Sequence, residues 1–242
     1  MFRPLLLILA LGANLFISLP ALAANVALAT SPLANSSAVT VAPNVMLMLD
    51  DSGSMDWDYM PDIAKNFAGK YGYNSSQCNG VYYDPGTDYT VPVDSAKQPL
   101  NATATNLPGN ASFTAAWIDG YDTSLGTTNL STQFTGGAGN DASGINLTAG
   151  PAFYYNYIGT LTGSADKKYF STSSPFYLEC NAGSAPTDTG NTKFTKVTVL
   201  STSAEAQNFA NWYSYYSTRM KMMKSGVGDA FKNLSNRFRI GY

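Results

Sequence analysis

The chain has 242 residues, 14 basic and 16 acidic side chains, a formal charge of −2 and no histidine. The missing histidine excludes a Ser-His-Asp or Cys-His nucleophile and any His-ligated zinc or haem, and two cysteines are too few for a Cys-rich cluster. Charged residues make up 12%, well under the roughly 25% of ordinary globular domains; Gly, Asn, Ser, Thr and Tyr fill the gap, which fits an extracellular, loop-rich protein better than a cytosolic enzyme.

Arg3 supplies a short positive start, Leu5 to Leu19 is largely apolar, and Ala21-Leu22-Ala23 has the small-x-small form of a cleavage site. Residues 1–23 therefore read as a secretory signal peptide. The alternative, a membrane-spanning helix, needs about 20 apolar residues, more than this core provides. The mature chain is expected to be exported and to carry no membrane span. Export makes a disulfide between Cys78 and Cys180 the expectation. The two cysteines lie 102 positions apart, and two free thiols are the alternative.

Residues 24–43 are small and polar and read as a flexible lead-in. Val45-Met46-Leu47-Met48-Leu49 follows. Its continuous apolar run without alternation predicts a strand buried on both faces, as in a parallel sheet. It ends in Asp50-Asp51-Ser52-Gly53-Ser54-Met55.

From 56 to 201 Pro, Gly, Asn, Thr and Tyr dominate, with short predicted strands at Val81–Tyr83, Tyr89–Val93, Phe153–Ile158 and Phe194–Leu200. The stretch 101–150 is nearly low-complexity and reads as surface loops. Thr202-Ser203-Ala204-Glu205 matches a capping box. After it Phe209, Trp212, Tyr213, Tyr216, Met220, Met223, Val227, Phe231 and Leu234 recur at helical steps. The spacing predicts one long amphipathic helix over 202–235, bent near Gly226 and Gly228. Arg237 to Tyr242 alternates like a strand. The net charge is −8 up to residue 190 and +6 beyond it. The basic part reads as a solvated helix face, or as a docking surface for the acidic stretch, rather than as a nucleic-acid site.

The chemistry lies in Asp50-x-Ser52-x-Ser54 after the first strand. One carboxylate and two hydroxyls spaced two apart offer hard oxygen ligands from one loop, with Gly53 read as allowing a tight turn. Mg²⁺ keeps several waters, so this set supplies about half of an octahedral shell. The alternative is an Asx-turn that merely ends a strand. Asp51, Asp56 and Asp58 add negative potential and read chiefly as solvated acids, with outer-shell partners of a bound ion as the alternative. Asp51-Ser52-Gly53 and Asp188-Thr189-Gly190 also fit the Asp-Ser/Thr-Gly string of aspartic proteases, but no strand leads into the second copy.

The loop after an apolar strand resembles the metal-ion-dependent adhesion site of von Willebrand factor type A domains. More narrowly, PNVMLMLDDSGSM (43–55), CNGVYYDPGTDYTVPV (78–93), AQNFANWYSYYSTRMKMMKSGVGDAF (206–231) and RFRIGY (237–242) together resemble the N-terminal region of the type IV pilus tip-associated adhesin and assembly factors of Gram-negative bacteria. The resemblance implies an α/β fold: a partial von Willebrand A-type, Rossmann-like core from 44–55 and 202–242, with 56–201 as a β- and loop-rich insertion subdomain. The strand at 45–49 should pair in parallel with that at 237–242. The family's A-type domain precedes a β-propeller and takes further ligands from later strands, so the resemblance also implies a truncated product with half a metal site.

Carried over to these positions, Ser52 and Ser54 would bind Mg²⁺ (or Ca²⁺ or Mn²⁺) directly and Asp50 through water. A carboxylate of a host or surface ligand would complete the shell. The implied role is non-catalytic: adhesion and pilus assembly with minor pilins at the periplasm, outer surface or pilus tip. The rivals are a structural pilus component without metal and an aspartic-protease-like enzyme.

Overall fold

The computed structural model describes residues 42–94, 96–100, 112–136, 148–160, 171–183, 190–233 and 238–241. The expected signal peptide over 1–23, nearly all of the expected lead-in, and Asp188 lie outside the described residues. Every element below belongs to the unit spanning 43–242.

Strand β1 is Asn44–Met46 and pairs in parallel with β6, Arg239–Gly241. Asn44 faces Arg239, Val45 faces Ile240 and Met46 faces Gly241. The expected parallel pairing is thus present, although β1 is shorter than the apolar run that announces it. The expected burial on both faces is not. Met46 is 74% exposed and Met48 89%, with Leu49 and Ile240 also exposed. The reason is layering. A parallel sheet is buried when helices cover both faces, and among the described residues no third strand joins β1 or β6.

Most of the hydrophobic core lies in the stretch 56–201, expected to be a β- and loop-rich insertion, and Phe209, Trp212 and Tyr213 join it from the helix that follows. Strands β4 (Phe153–Tyr157) and β5 (Phe194–Thr198) form an antiparallel pair with Phe153 opposite Thr198 and Tyr157 opposite Phe194. Strand β2 (Ala116–Trp117) pairs with β3 (Thr127–Thr128). The stretch 101–150 is therefore not only surface: Phe113, Ala116, Leu130 and Phe134 are buried. A few well-spaced apolar side chains tie a polar segment into a core, and composition alone hides them.

Val81–Tyr83 and Tyr89–Val93 are not strands. Val81, Tyr82 and Tyr83 are nevertheless buried, as β-branched and aromatic side chains are wherever the core takes them. Their backbone runs in turns, so side chains must supply the hydrogen bonds a ladder would give. Fully buried Asn79 does this. Its Oδ1 accepts the N–H groups of Met60 (3.0 Å) and Val81 (3.2 Å), and its Nδ2 donates to the carbonyls of Asp58 and Tyr73, both at 3.0 Å.

Aromatic rings fill the centre. Trp212, 1% exposed, lies 5.0 Å from both Tyr82 and Phe209 between ring centroids. Its indole N–H donates to the Val81 carbonyl at 2.9 Å. Such ring pairs each contribute about 0.5–1.5 kcal/mol beyond area burial. The expected Cys78–Cys180 disulfide is formed, with Cα atoms 5.8 Å apart. Cys180 ends helix α1 (Pro175–Cys180), which Ser174 caps by accepting the Tyr177 N–H, with proline in the first turn. Gly72 lies against this cysteine: a Cβ there would come within 2.5 Å of the Cys180 carbonyl oxygen.

The predicted single helix is two helices, α2 (Ala206–Tyr215) and α3 (Arg219–Phe231). The break falls at 216–218 and not at Gly226 or Gly228, which lie inside α3 with nothing within 4 Å of an added Cβ. Hydroxyls at the break compete with the helix for backbone partners. Ser217 Oγ donates to the Tyr213 carbonyl (2.5 Å), and Thr218 accepts the Lys221 N–H (3.2 Å) as the cap of α3. The interruption resets the helical phase. Phe209, Trp212 and Tyr213 are buried as predicted, but the buried residues of α3 are Lys221 and Ser225. The capping box does not form either. Glu205, at the cap position, makes no capping bond and accepts instead from the hydroxyls of Tyr83 and Tyr154 at 3.4 and 3.3 Å.

Lys221 is 3% exposed and its ammonium donates to the carbonyls of Ile118 (2.7 Å) and Tyr213 (3.1 Å) and to Ser217 Oγ (3.1 Å). Desolvation by burial pushes its pKa down to about 8. Burial pushes the phenols of Tyr89 and Tyr213 up to about 12.

Two predictions follow from this packing. The double variant Cys78→Ala/Cys180→Ala is expected to lose about 2–5 kcal/mol of unfolding free energy, read as a lower urea midpoint. The second concerns alkali. The unfolded chain holds the Lys221 proton up to its ordinary value of 10.5 while the folded chain releases it near 8, so this group adds stability as pH rises through that window. The tyrosines act oppositely: the unfolded phenols ionise from 10.0 upward and the folded ones near 12, so their contribution is lost as pH rises through that interval. Urea midpoints measured against pH should therefore rise above 8 and fall beyond 10, the fall coinciding with the near-ultraviolet absorbance of tyrosinate.

Candidate metal-binding loop

Leu47, Met48 and Leu49 separate the end of β1 from Asp50, and the loop closes in a short 3-10 helix, Gly53–Asp56. Asp50 Oδ1 accepts the Ser52 N–H at 2.9 Å, an Asx-turn that fixes the carboxylate against the following residues. Ser52 precedes the 3-10 turn in an extended conformation, and its carbonyl accepts the Met55 N–H at 2.9 Å. The hydroxyls of Ser52 and Ser54 then lie 3.0 Å apart. Asp50, Ser52 and Gly53 are exposed and Ser54 is half-buried.

The hydrogen bonds from the Ser52 N–H, and secondarily from the Ser52 side chain, hold the Asp50 carboxyl below the usual carboxylate range. The loop thus presents one ionised carboxylate and two hydroxyls, all hard oxygens. Neighbouring oxygens around octahedral Mg²⁺ stand roughly 2.9 Å apart, which is √2 times a metal–oxygen distance of ~2.1 Å. The separation of the two serine oxygens fits that edge, and the donor set therefore suits a magnesium-class cation. Among the described residues no group of three or more Cys, Asp or Glu side chains is placed to hold a metal ion, in this loop or elsewhere.

Two sequence expectations about this loop are corrected. Gly53 is not required by a tight turn: it has no left-handed φ, and nothing lies within 4 Å of an added Cβ. Asp58 is not a solvated acid. It is buried, and its carboxylate accepts the Tyr73 hydroxyl at 2.5 Å. Asp51 and Asp56 are exposed. Tyr82 and Tyr83 are buried, and Tyr82 donates to the Phe153 carbonyl at 2.7 Å.

The residue that sequence reasoning passed over is Arg219, counted there only as part of the basic tail. It begins α3 and joins Asp62 at 2.7 Å across 157 positions. The signal available was the run Trp57-x-Tyr59, a pair of rings facing one way, close after the loop.

No protein-family model matches the chain, and no solved structure does. Curated relatives exist. The chain is 34% identical over 211 residues to the type IV pilus biogenesis factor PilY1 of Pseudomonas aeruginosa strain PAK. It is 35% identical over 205 residues to the protein of the same name in strain UCBPP-PA14. These matches cover 84% and 83% of this chain and 16% of each relative. Over the matched residues the chain is similar to these type IV pilus biogenesis factors, and it spans about 16% of their length.

Proposed function

We propose that this chain is an exported, non-catalytic component of type IV pilus assembly and surface adhesion. Its Asp50–Ser54 loop holds Mg²⁺, or Ca²⁺ or Mn²⁺ in its place. Ser52 and Ser54 bind the ion directly and Asp50 acts through water, consistent with its Oδ1 already accepting the Ser52 N–H. A bound divalent ion supplies an electrophilic bridge to a carboxylate on a host or surface ligand. Minor pilins are the assembly partners, and the place of action is the periplasm, outer surface or pilus tip. In this reading β1 and β6 are neighbouring strands of a von Willebrand A-type core built from 44–55 and 202–242, with 56–201 inserted between them.

One observation carries the proposal: two serine hydroxyls 3.0 Å apart beside an ionised carboxylate, just beyond a strand in a parallel pair. Ligands in open α/β sheets bind at the carboxyl ends of strands, and the pilus-related family supports the setting. A second reading keeps the pilus role and makes the loop an Asx-turn that ends β1, since the bond from the Ser52 N–H serves that purpose without any ion.

Calorimetric titration of Mg²⁺ into the wild-type chain and the Asp50→Ala variant separates the two. Binding of roughly millimolar strength, the range of weak extracellular cation sites, is expected for wild type and a loss of most of the heat for the variant. Identical heats would leave only the structural reading.

A further inference from the structure

We infer that Arg219 is the positioning residue of the Asp50–Ser54 loop: it clamps the segment by which the loop leaves the surface, and so sets where Ser54 stands. As far as it concerns an ion, this rests on the metal-binding reading above.

Five contacts converge on residues 57–62. The Arg219 backbone N–H donates to the Trp57 carbonyl at 3.0 Å. Its Nε donates to the Tyr59 carbonyl at 2.8 Å, and Nη2 meets Asp62 Oδ1 at 2.7 Å. The guanidinium carbon lies 4.9 Å from the Trp57 ring centroid and 5.3 Å from that of Tyr59. Those two rings are stacked, 5.1 Å apart and 16° from parallel. The clamp reaches the loop in one step, because the Trp57 N–H donates to the Ser54 carbonyl at 3.3 Å.

The contacts are not equal. Asp62 is 81% exposed, and an ion pair so open to water contributes little. The Arg219 side chain is only 15% exposed, so its bond to the Tyr59 carbonyl and its place over two rings are shielded and carry most of the effect. Lysine reproduces the charge but not the planar fork that donates along two directions while stacking. The sequence places this arginine at the N-terminus of α3, where its charge opposes the helix dipole. Its position is explained by what it holds, not by the helix it begins.

The test compares wild type, Arg219→Met, Arg219→Lys and Asp62→Asn as full chains. It measures hydrogen exchange over residues 50–60 without metal, and Mg²⁺ affinity by calorimetry. Near-ultraviolet circular dichroism reports whether the aromatic core is intact. Arg219→Met is expected to speed exchange over 50–60 and to weaken Mg²⁺ binding roughly tenfold, the lower end of what loss of an orienting partner costs a metal site. Arg219→Lys should recover little, and Asp62→Asn should stay near wild type. If Arg219→Met does not fold, Arg219→Lys carries the test.

Unchanged exchange over 50–60 in a folded Arg219 variant would overturn the clamp. So would faster exchange with unaltered Mg²⁺ affinity, or full recovery by lysine. If the wild type takes up no Mg²⁺ while exchange still rises in the variant, the metal reading fails and the clamp on the loop stands.

Discussion

Asn79 is fully buried, and its side-chain amide makes four hydrogen bonds to backbone groups that no helix or ladder reaches. The molecule depends on this kind of bond. Much of its core is enclosed by turns and 3-10 segments, and a buried turn carries polar groups that lose water without gaining regular partners. Amides and phenols replace those partners here. The indole of Trp212 serves Val81, the amide of Asn211 serves Tyr89 and the hydroxyl of Tyr82 serves Phe153. A composition poor in charge and rich in Asn, Ser, Thr and Tyr suits such a core, because those side chains bury apolar area and still bring donors and acceptors with them.

The same network forms the floor of the loop. Asn79 holds the Asp58 carbonyl and the Met60 N–H, and Arg219 holds the Trp57 and Tyr59 carbonyls. The strap from 57 to 60 is therefore bonded alternately from two sides. Asp50, Ser52 and Gly53 project beyond it into solvent, while their exit is anchored in the aromatic interior. A surface loop with a buried footing combines access with an anchored exit.

The outline was legible in the sequence where a local rule acts alone. The parallel match of β1 with β6, the strands β4 and β5 though not their pairing, the buried face of α2 and the disulfide all follow from periodicity, resemblance or cysteine count. The misses have physical causes. Val81–Tyr83 carries the side chains of a strand, yet Asn79 supplies its bonds and frees it to turn. The residues 202–235 carry one continuous stripe, yet Ser217 and Thr218 capture backbone groups and divide it. Lys221 reads as a solvated cation, yet three oxygens gathered from α2, the break and the segment after β2 draw it inside. Each exception depends on a partner distant in the chain, and no window along the sequence contains it. At the candidate loop spacing alone offers three candidate oxygens; Arg219, which bonds the segment after them at Trp57 and Tyr59, lies more than 150 positions away.

The ribbon formed by β1 and β6 has a consequence for the behaviour of the chain in solution. Two short strands make few bonds to each other, and a ribbon of that size is marginal in water without a packed layer. Among the described residues no third strand flanks the pair, and such margins beside exposed thioethers and aliphatic groups invite another polypeptide to lie alongside. Crowding of this chain at high concentration would thus be felt first at that ribbon, as strand-to-strand adhesion between copies, long before the aromatic interior yields.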